Sequence, residues 1–214
     1  MNYISDDFKS GKNLTLGEYV IIEPDVVVGD NVKLGHRVTL KSGTIVGNNS
    51  TVDDHCITTG ACYIGDHVNI RTGAIISKAT IIEDFGFIGP GVITNHTKNV
   101  IYGRSSKVPD IQYLTYIGFG SIIGSQASIL AGIRIAPNVI LGGGAVVVKN
   151  LDESGVFVGS PAKKIAEVDN DYKIDEPDNA GYMYLNEHVI NPMKTYIPKL
   201  KITDNYIRLS PDLH

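Results

Sequence analysis

The sequence predicts an all-β protein whose body is a parallel β-helix, and three observations carry that prediction. Counting by six from Leu16 passes through Ile22, Val28, Leu34, Leu40, Val46, Val52, Thr58, Ile64, Ile70, Ile76, Ile82, Ile88 and Thr94. The column resumes at Ile117 and runs through Ile123, Ile129, Ile135, Leu141 and Val147, and eighteen of its twenty positions are Ile, Leu or Val. Four residues after each step lies a second column of mostly small residues, such as Val26, Val38, Ser50, Cys56, Cys62, Ala74 and, later, Ala127 and Ala145. The third observation is glycine directly after the large aliphatic, as at Gly17, Gly29, Gly35, Gly47, Gly65, Gly89, Gly118 and Gly124.

A period of six is not helical, because an amphipathic helix repeats near every 3.6 residues. It fits short parallel strands joined by tight turns. The large aliphatic fills the interior, and the small residue sits near a corner where bulk would collide. Glycine supplies permissive backbone angles or a close approach. Each buried aliphatic contributes roughly 1.5–3 kcal/mol. Neighbouring coils share one core, so stability is nearly one-dimensional and the ends need caps.

The elements follow in chain order. Residues 1–15 precede the column and are expected to cap it. The β-helix is expected over 16–165. Twenty-two residues without the repeat, 95–116, interrupt it and read as an extruded loop. Lys98, Arg104, Lys107, Pro109 and three tyrosines (102, 113 and 116) lie in this loop. A loop of that length in a compact repeat is usually functional or disordered, and its aromatics favour packing. Residues 166–214 form a C-terminal extension with no hexads, four prolines and five tyrosines. It is expected either to cover a flank of the β-helix or a neighbouring subunit, or to help hold a substrate. Within it, residues 200–211 read as a strand or hairpin.

Composition narrows the function. The 214 residues carry 19 basic and 23 acidic side chains, a formal charge of −4. That balance argues against a nucleic-acid partner. No apolar run approaches a membrane span, and the polar, acidic start does not read as a signal peptide. Two cysteines, Cys56 and Cys62, make no disulfide framework. They are expected to be small core residues in a cytoplasmic protein. The six histidines are scattered, so no metal site is expected.

The pattern aliphatic-Gly-x-x-small-x resembles the hexapeptide-repeat acyltransferases over about residues 14–165. Gly159-Ser160-Pro161-Ala162-Lys163-Lys164 is similar to a segment that follows the last coil in that family. The resemblance implies a left-handed β-helix with three hexads per coil, hence six to seven coils. It also implies a homotrimer, with active sites between neighbouring subunits and acetyl-CoA (or another acyl-CoA) as donor. The stretch IIEDFGFIGPGVITN, residues 81–95, is most like the nucleotide-amino-sugar N-acetyltransferases. An N-acyltransferase acting on a nucleotide-linked amino sugar is therefore expected. Transfer to a hydroxyl of a sugar or antibiotic, and a non-catalytic scaffold, are the alternatives.

Site residues follow from the same resemblance. Asn95-His96 matches the Asn-His of antibiotic acetyltransferases, in which histidine is the general base. Sugar acyltransferases often carry Asn-Asp there, and some use no protein base. His96 is thus the base, a polar contact to the acceptor, or a loop residue with no role. Asn95, Glu83 and Asp84 are expected on the acceptor side. Ala131, Gly132 and Gly143 would let the coenzyme A arm approach the backbone. Lys149, Lys163 and Lys164 would pair with its phosphates.

Overall fold

A computed structural model of the chain describes residues 1–100 and 110–203. Two-residue strands recur every six residues and stack into three flat faces. The first face runs from Tyr3–Ile4 through Ile21–Ile22, Ile57–Thr58, Ile75–Ile76, Ile93–Thr94 and Ser128–Ile129 to Val146–Val147. The second runs from Lys9–Ser10 to Arg134–Ile135, and the third from Thr15–Leu16 to Gly155–Val158. Strands pair in parallel with those one coil away, as Tyr63 does with Ile81. The protein is a left-handed parallel β-helix.

The first face has eight strands, so the expected six to seven coils is too few. Residues 1–15 do more than cap. Tyr3–Ile4 pairs with Ile21–Ile22, and Lys9–Ser10 with Val27–Val28. The column hides this first coil because Ser10 and Phe8 occupy two of its inward positions, where the pattern expects a large aliphatic and a small residue. Phe8, Leu14 and Leu16 are only partly buried against the core. At the far end Lys163–Ala166 turns back antiparallel along Gly155–Val158 and closes the third face.

Both sequence columns point inward. Ile22, Leu40, Ile64, Ile82, Ile88, Ile117, Ile123 and Ile135 are fully buried. So are Val26, Val38, Ala74 and Val92 of the second column. Cys56 and Cys62 lie in that second column, free and buried. Burial raises the Cys56 thiol to about 11 and the Cys62 thiol to about 12.

The corners divide two tasks between different residues. Glycine after the aliphatic allows close approach: a Cβ on Gly17 would lie 2.6 Å from the carbonyl carbon of Gly35. The left-handed backbone falls two residues later, at Tyr19, Asp25, Asn31, Arg37, Gly43, Asn49, His55 and His67 among others. Asparagine adopts that conformation more readily than most residues. Along one corner Asn13 Nδ2 donates to Asn31 Oδ1, and Asn31 Nδ2 to Asn49 Oδ1, each at 2.9 Å. The same column continues as His67 stacked on Phe85, with ring centroids 4.8 Å apart. Phe85 then meets the edge of Phe119.

The loop is a clean insertion in this register. Tyr63 pairs with Ile81, eighteen positions on, but Ile81 pairs with Tyr116, thirty-five positions on. Seventeen residues are thus added to one coil. The chain returns through the strands Gln112–Tyr113 and Thr115–Ile117. Tyr102, Arg104, Lys107 and Pro109 lie outside the described residues.

The extension lies on the second face. A helix, Glu187–Tyr196, buries Val189, Ile190 and Met193 against Ala61, Ala79, Ile81, Leu114 and Tyr116. Asn186 caps it by accepting from the Val189 N–H at 3.2 Å. Leu200–Lys201 then pairs in parallel with Gln112–Tyr113. Of the strand expected from residue 200 onward, this pair is what the described residues contain; those beyond 203 lie outside them. No helix among the described residues is long and apolar enough to cross a membrane.

Candidate active site

The site grows from the last strand before the insertion, Ile93–Thr94. Asn95 is tied to the next coil twice, through its N–H to Ile129 O at 2.9 Å and its Nδ2 to the same oxygen at 3.1 Å. Two further bonds close the stem of the loop. Thr115 Oγ1 donates to Asn95 O at 3.0 Å, and the Tyr113 N–H donates to His96 O at 2.7 Å. The root of the loop is therefore held by rigid coil on both sides.

His96 is half-buried, and its Nδ1 has no hydrogen-bond partner among the described residues. Burial pushes its pKa below the usual histidine value; the Lys78 charge adds to the shift and Asp110 opposes it. The ring is neutral at pH 7, the form able to accept a proton.

A cleft of about 330 Å³ opens beside the stem, lined by Asn95, Thr97, Lys98, Leu130, Ala131, Ile133 and Val148. His96, between Asn95 and Thr97, is not part of its wall. Of the expected residues, Asn95 and Ala131 meet here. Gly132 lies under the rim with a left-handed φ of +71°, and a Cβ on it would come within 3.0 Å of Lys98 Cε. Its N–H is already donated to Thr115 Oγ1 at 3.1 Å. The Lys98 ammonium sits 4.6 Å from the centre of the Tyr113 ring, and that of Lys201 at 6.0 Å. Lys201, Tyr113 and the apolar residues Leu130 and Val148 were not singled out as site residues from the sequence. Lys201 lies in the extension, more than a hundred residues from Lys98, so spacing carries no signal for their meeting.

A second cleft, about 440 Å³, is lined by Lys149, Leu151, Phe157, Ala162, Lys163 and Lys164, among others. Val148 lines the first cleft and Lys149, the next residue, lines the second. The three expected lysines are together. Lys149 and Lys163 are exposed, whereas Lys164 is paired with Glu167 at 2.8 Å and Glu153 at 3.2 Å. Gly143 is exposed and lines neither cleft.

Glu83 and Asp84 stand elsewhere. Glu83 is fully buried and accepts from Tyr116 Oη at 2.6 Å, Gly181 N–H at 2.7 Å and Met183 N–H at 2.8 Å. The Phe119 N–H is a fourth donor. Burial raises its pKa, and the donors oppose the rise. Asp84 Oδ1 accepts from Tyr184 Oη and from the Asp66 N–H. Both carboxylates hold the extension, a task that the acceptor-side expectation did not include. The sequence expectation missed this because their partners lie about a hundred residues on. Among the described residues no group of His, Cys, Asp and Glu is placed to hold a metal ion.

No protein-family model matches the chain. It is 24% identical over 123 residues to serine acetyltransferase of Buchnera aphidicola, covering 49% of this chain and 45% of that protein. It is 32% identical over 107 residues to the bifunctional protein GlmU of Fervidobacterium nodosum, covering 50% of this chain and 21% of that one. The chain thus spans less than half the length of these curated relatives. In fold it is similar to AntD, an N-acyltransferase from Bacillus cereus solved with dTDP and coenzyme A. That likeness has a TM-score of 0.58 and 22% identity, and covers 76% of this chain and 85% of that one. The polySia-specific acetyltransferase NeuO gives a TM-score of 0.52 at 16% identity, over 89% of this chain and 92% of its own.

Proposed function

We propose that this chain, a hexapeptide-repeat β-helix related to known acetyltransferases, is an acyl-CoA-dependent N-acyltransferase acting on the amine of a nucleotide-linked amino sugar. The observation that carries this reading is a pair of clefts, one at the Asn95–Lys98 stem and one among lysines, lined by the consecutive residues Val148 and Lys149. Coenzyme A has a matching layout, with a thioester at one end and phosphates at the other. Leu130, Ala131 and Val148 take the arm, and Lys149 and Lys163 pair with phosphate oxygens. Lys164, shared with two glutamates, has a smaller part.

The acceptor amine attacks the thioester carbonyl directly. A C–N bond forms and the C–S bond breaks, giving an amide and the coenzyme A thiol. The amine's proton passes to neutral His96, and the departing thiolate takes one up. Lys98 and Lys201 leave a positive edge beside the cleft, which suits an acceptor bearing a diphosphate. AntD, bound to dTDP, supports the same acceptor class by analogy of fold.

The site sits at the margin of the first face, whose outward side chains include Tyr3, Ile21, Ile57 and Ile93, all exposed. The extension covers the second face instead. An unpartnered aliphatic column beside the site supports a homotrimer with each site completed by a neighbour.

Thermal denaturation with saturating acetyl-CoA tests donor binding, and no rise in midpoint sinks the assignment in favour of a scaffold. Product mass with an amine acceptor and its hydroxyl analogue separates N- from O-transfer. Acetylation of the hydroxyl alone would move the protein to the O-acetyltransferases.

A further inference from the structure

The C-terminal extension reaches the loop stem by a continuous set of contacts. Glu83, deep under the second face, gathers the Gly181 and Met183 N–H groups at 2.7 and 2.8 Å. Tyr184 Oη reaches Asp84, and its ring lies 4.3 Å from that of Tyr63. The helix Glu187–Tyr196 then seats its apolar side on Leu114 and Tyr116, residues of the returning loop. Ile197, 1% exposed, ends that seat. Leu200–Lys201 pairs with Gln112–Tyr113, and the Leu114 N–H donates to Lys201 O at 3.0 Å. From Tyr113 and Thr115 the next bonds go to His96 O and Asn95 O.

We propose that the extension is a brace for the acyl-transfer site: its terminal strand fixes the returning side of the loop and so positions Asn95, His96 and Lys98, with Glu83 as the buried anchor of the brace. Glu83 is then a positioning residue, acting on the site through the extension and the returning strand. The geometry favours this because the insertion adds no coil of its own. The returning residues 110–114 precede the wall, and Leu200–Lys201 is the strand that Gln112–Tyr113 pairs with. Two-residue strands with one neighbour are weak, and local opening is cheap in such places. The extension also delivers the Lys201 ammonium to the Tyr113 ring that Lys98 shares. The inference rests on the acyl-transfer reading only for what the brace serves; the mechanical link is testable without turnover.

The experiment is amide hydrogen exchange on the full chain, wild type against Glu83→Ala and, separately, Ile197→Asp. The expected result is loss of protection over residues 181–201, together with exchange about tenfold or more faster at 112–115. Third-face residues 15–16, 33–34 and 51–52, outside the cluster the extension packs into, keep their rates. Fast exchange at 181–201 with unchanged exchange at 112–115 overturns the brace. So does full protection of 181–201 in both variants, because then neither residue anchors it. Loss of protection at 15–16, 33–34 and 51–52 as well would make Glu83 and Ile197 part of the core fold and also overturn it. If acyl transfer is found, kcat in Glu83→Ala falls more than the acetyl-CoA KM rises, since the coenzyme clefts lie mainly on later coils. If no transfer is found, the exchange result still decides the brace.

Discussion

His96 gathers the most specific expectations at the scale of one residue. Its lowered pKa puts the neutral ring in excess at pH 7. As a base it is lost on protonation, so kcat/KM should fall as pH drops through a value below the ordinary 6.5. The Lys78 charge helps to lower that value, so Lys78→Met should move the acid limb to higher pH. A limb that stays in place in a pH–rate profile would remove His96 as its source. His96→Ala should cost about a hundred- to ten-thousand-fold in kcat. Near-normal turnover would leave it a binding residue at most. The two cysteines make the opposite case. Both thiols are buried with raised pKa values, so thiol reagents should label neither until the chain unfolds. Rapid labelling of the native protein would contradict that placement.

The corner is the informative element. Asn31 combines a left-handed backbone (φ 57°) with side-chain hydrogen bonds, accepting from Asn13 and donating to Asn49. Asn31→Gly keeps the angle and loses the bonds, whereas Asn31→Val loses both. Valine should therefore destabilise more, by about 1–2 kcal/mol relative to glycine. Denaturant midpoints of the two variants measure the gap, and equal midpoints would mean that the backbone angle costs nothing here. This is also where legibility divides. Columns such as Ile22–Val28–Leu34 were legible because every coil imposes the same packing on the same register. The first coil was not, since Phe8 and Ser10 sit at a terminus with neighbours on one side only. The helix Glu187–Tyr196 went unread because Pro192 interrupts its pattern and its apolar side is short. Asn95, at the break in the repeat, and Ala131, a small residue after it, were singled out from the sequence and line one cleft. The hold of Glu83 on the extension was not legible, because those partners come from residues 181 and 183, a distance that no local pattern spans.

The whole molecule is a stack whose coils share one core. Removing a central aliphatic should be felt along the stack, and Ile76→Ala is expected to cost about 2–5 kcal/mol in chemical denaturation. The three faces have unlike fates. The second is covered by the chain's own extension, and the first leaves an aliphatic column outward. If that column joins three copies, light scattering should give a trimer, and Ile21→Lys with Ile57→Lys should shift it toward monomer. A monomeric wild type would end that expectation.

The seventeen added residues leave the pairing of Ile82 with Ile117 as regular as that of Ile64 with Ile82. The wall therefore registers where the excursion leaves and rejoins, and not what it contains. Such a segment can be rewritten, lengthened or exchanged between related chains while the coils before and after it fold as before. A population of β-helices with the same scaffold can diverge in what they recognise by editing one cassette, and its point of attachment is beside Asn95.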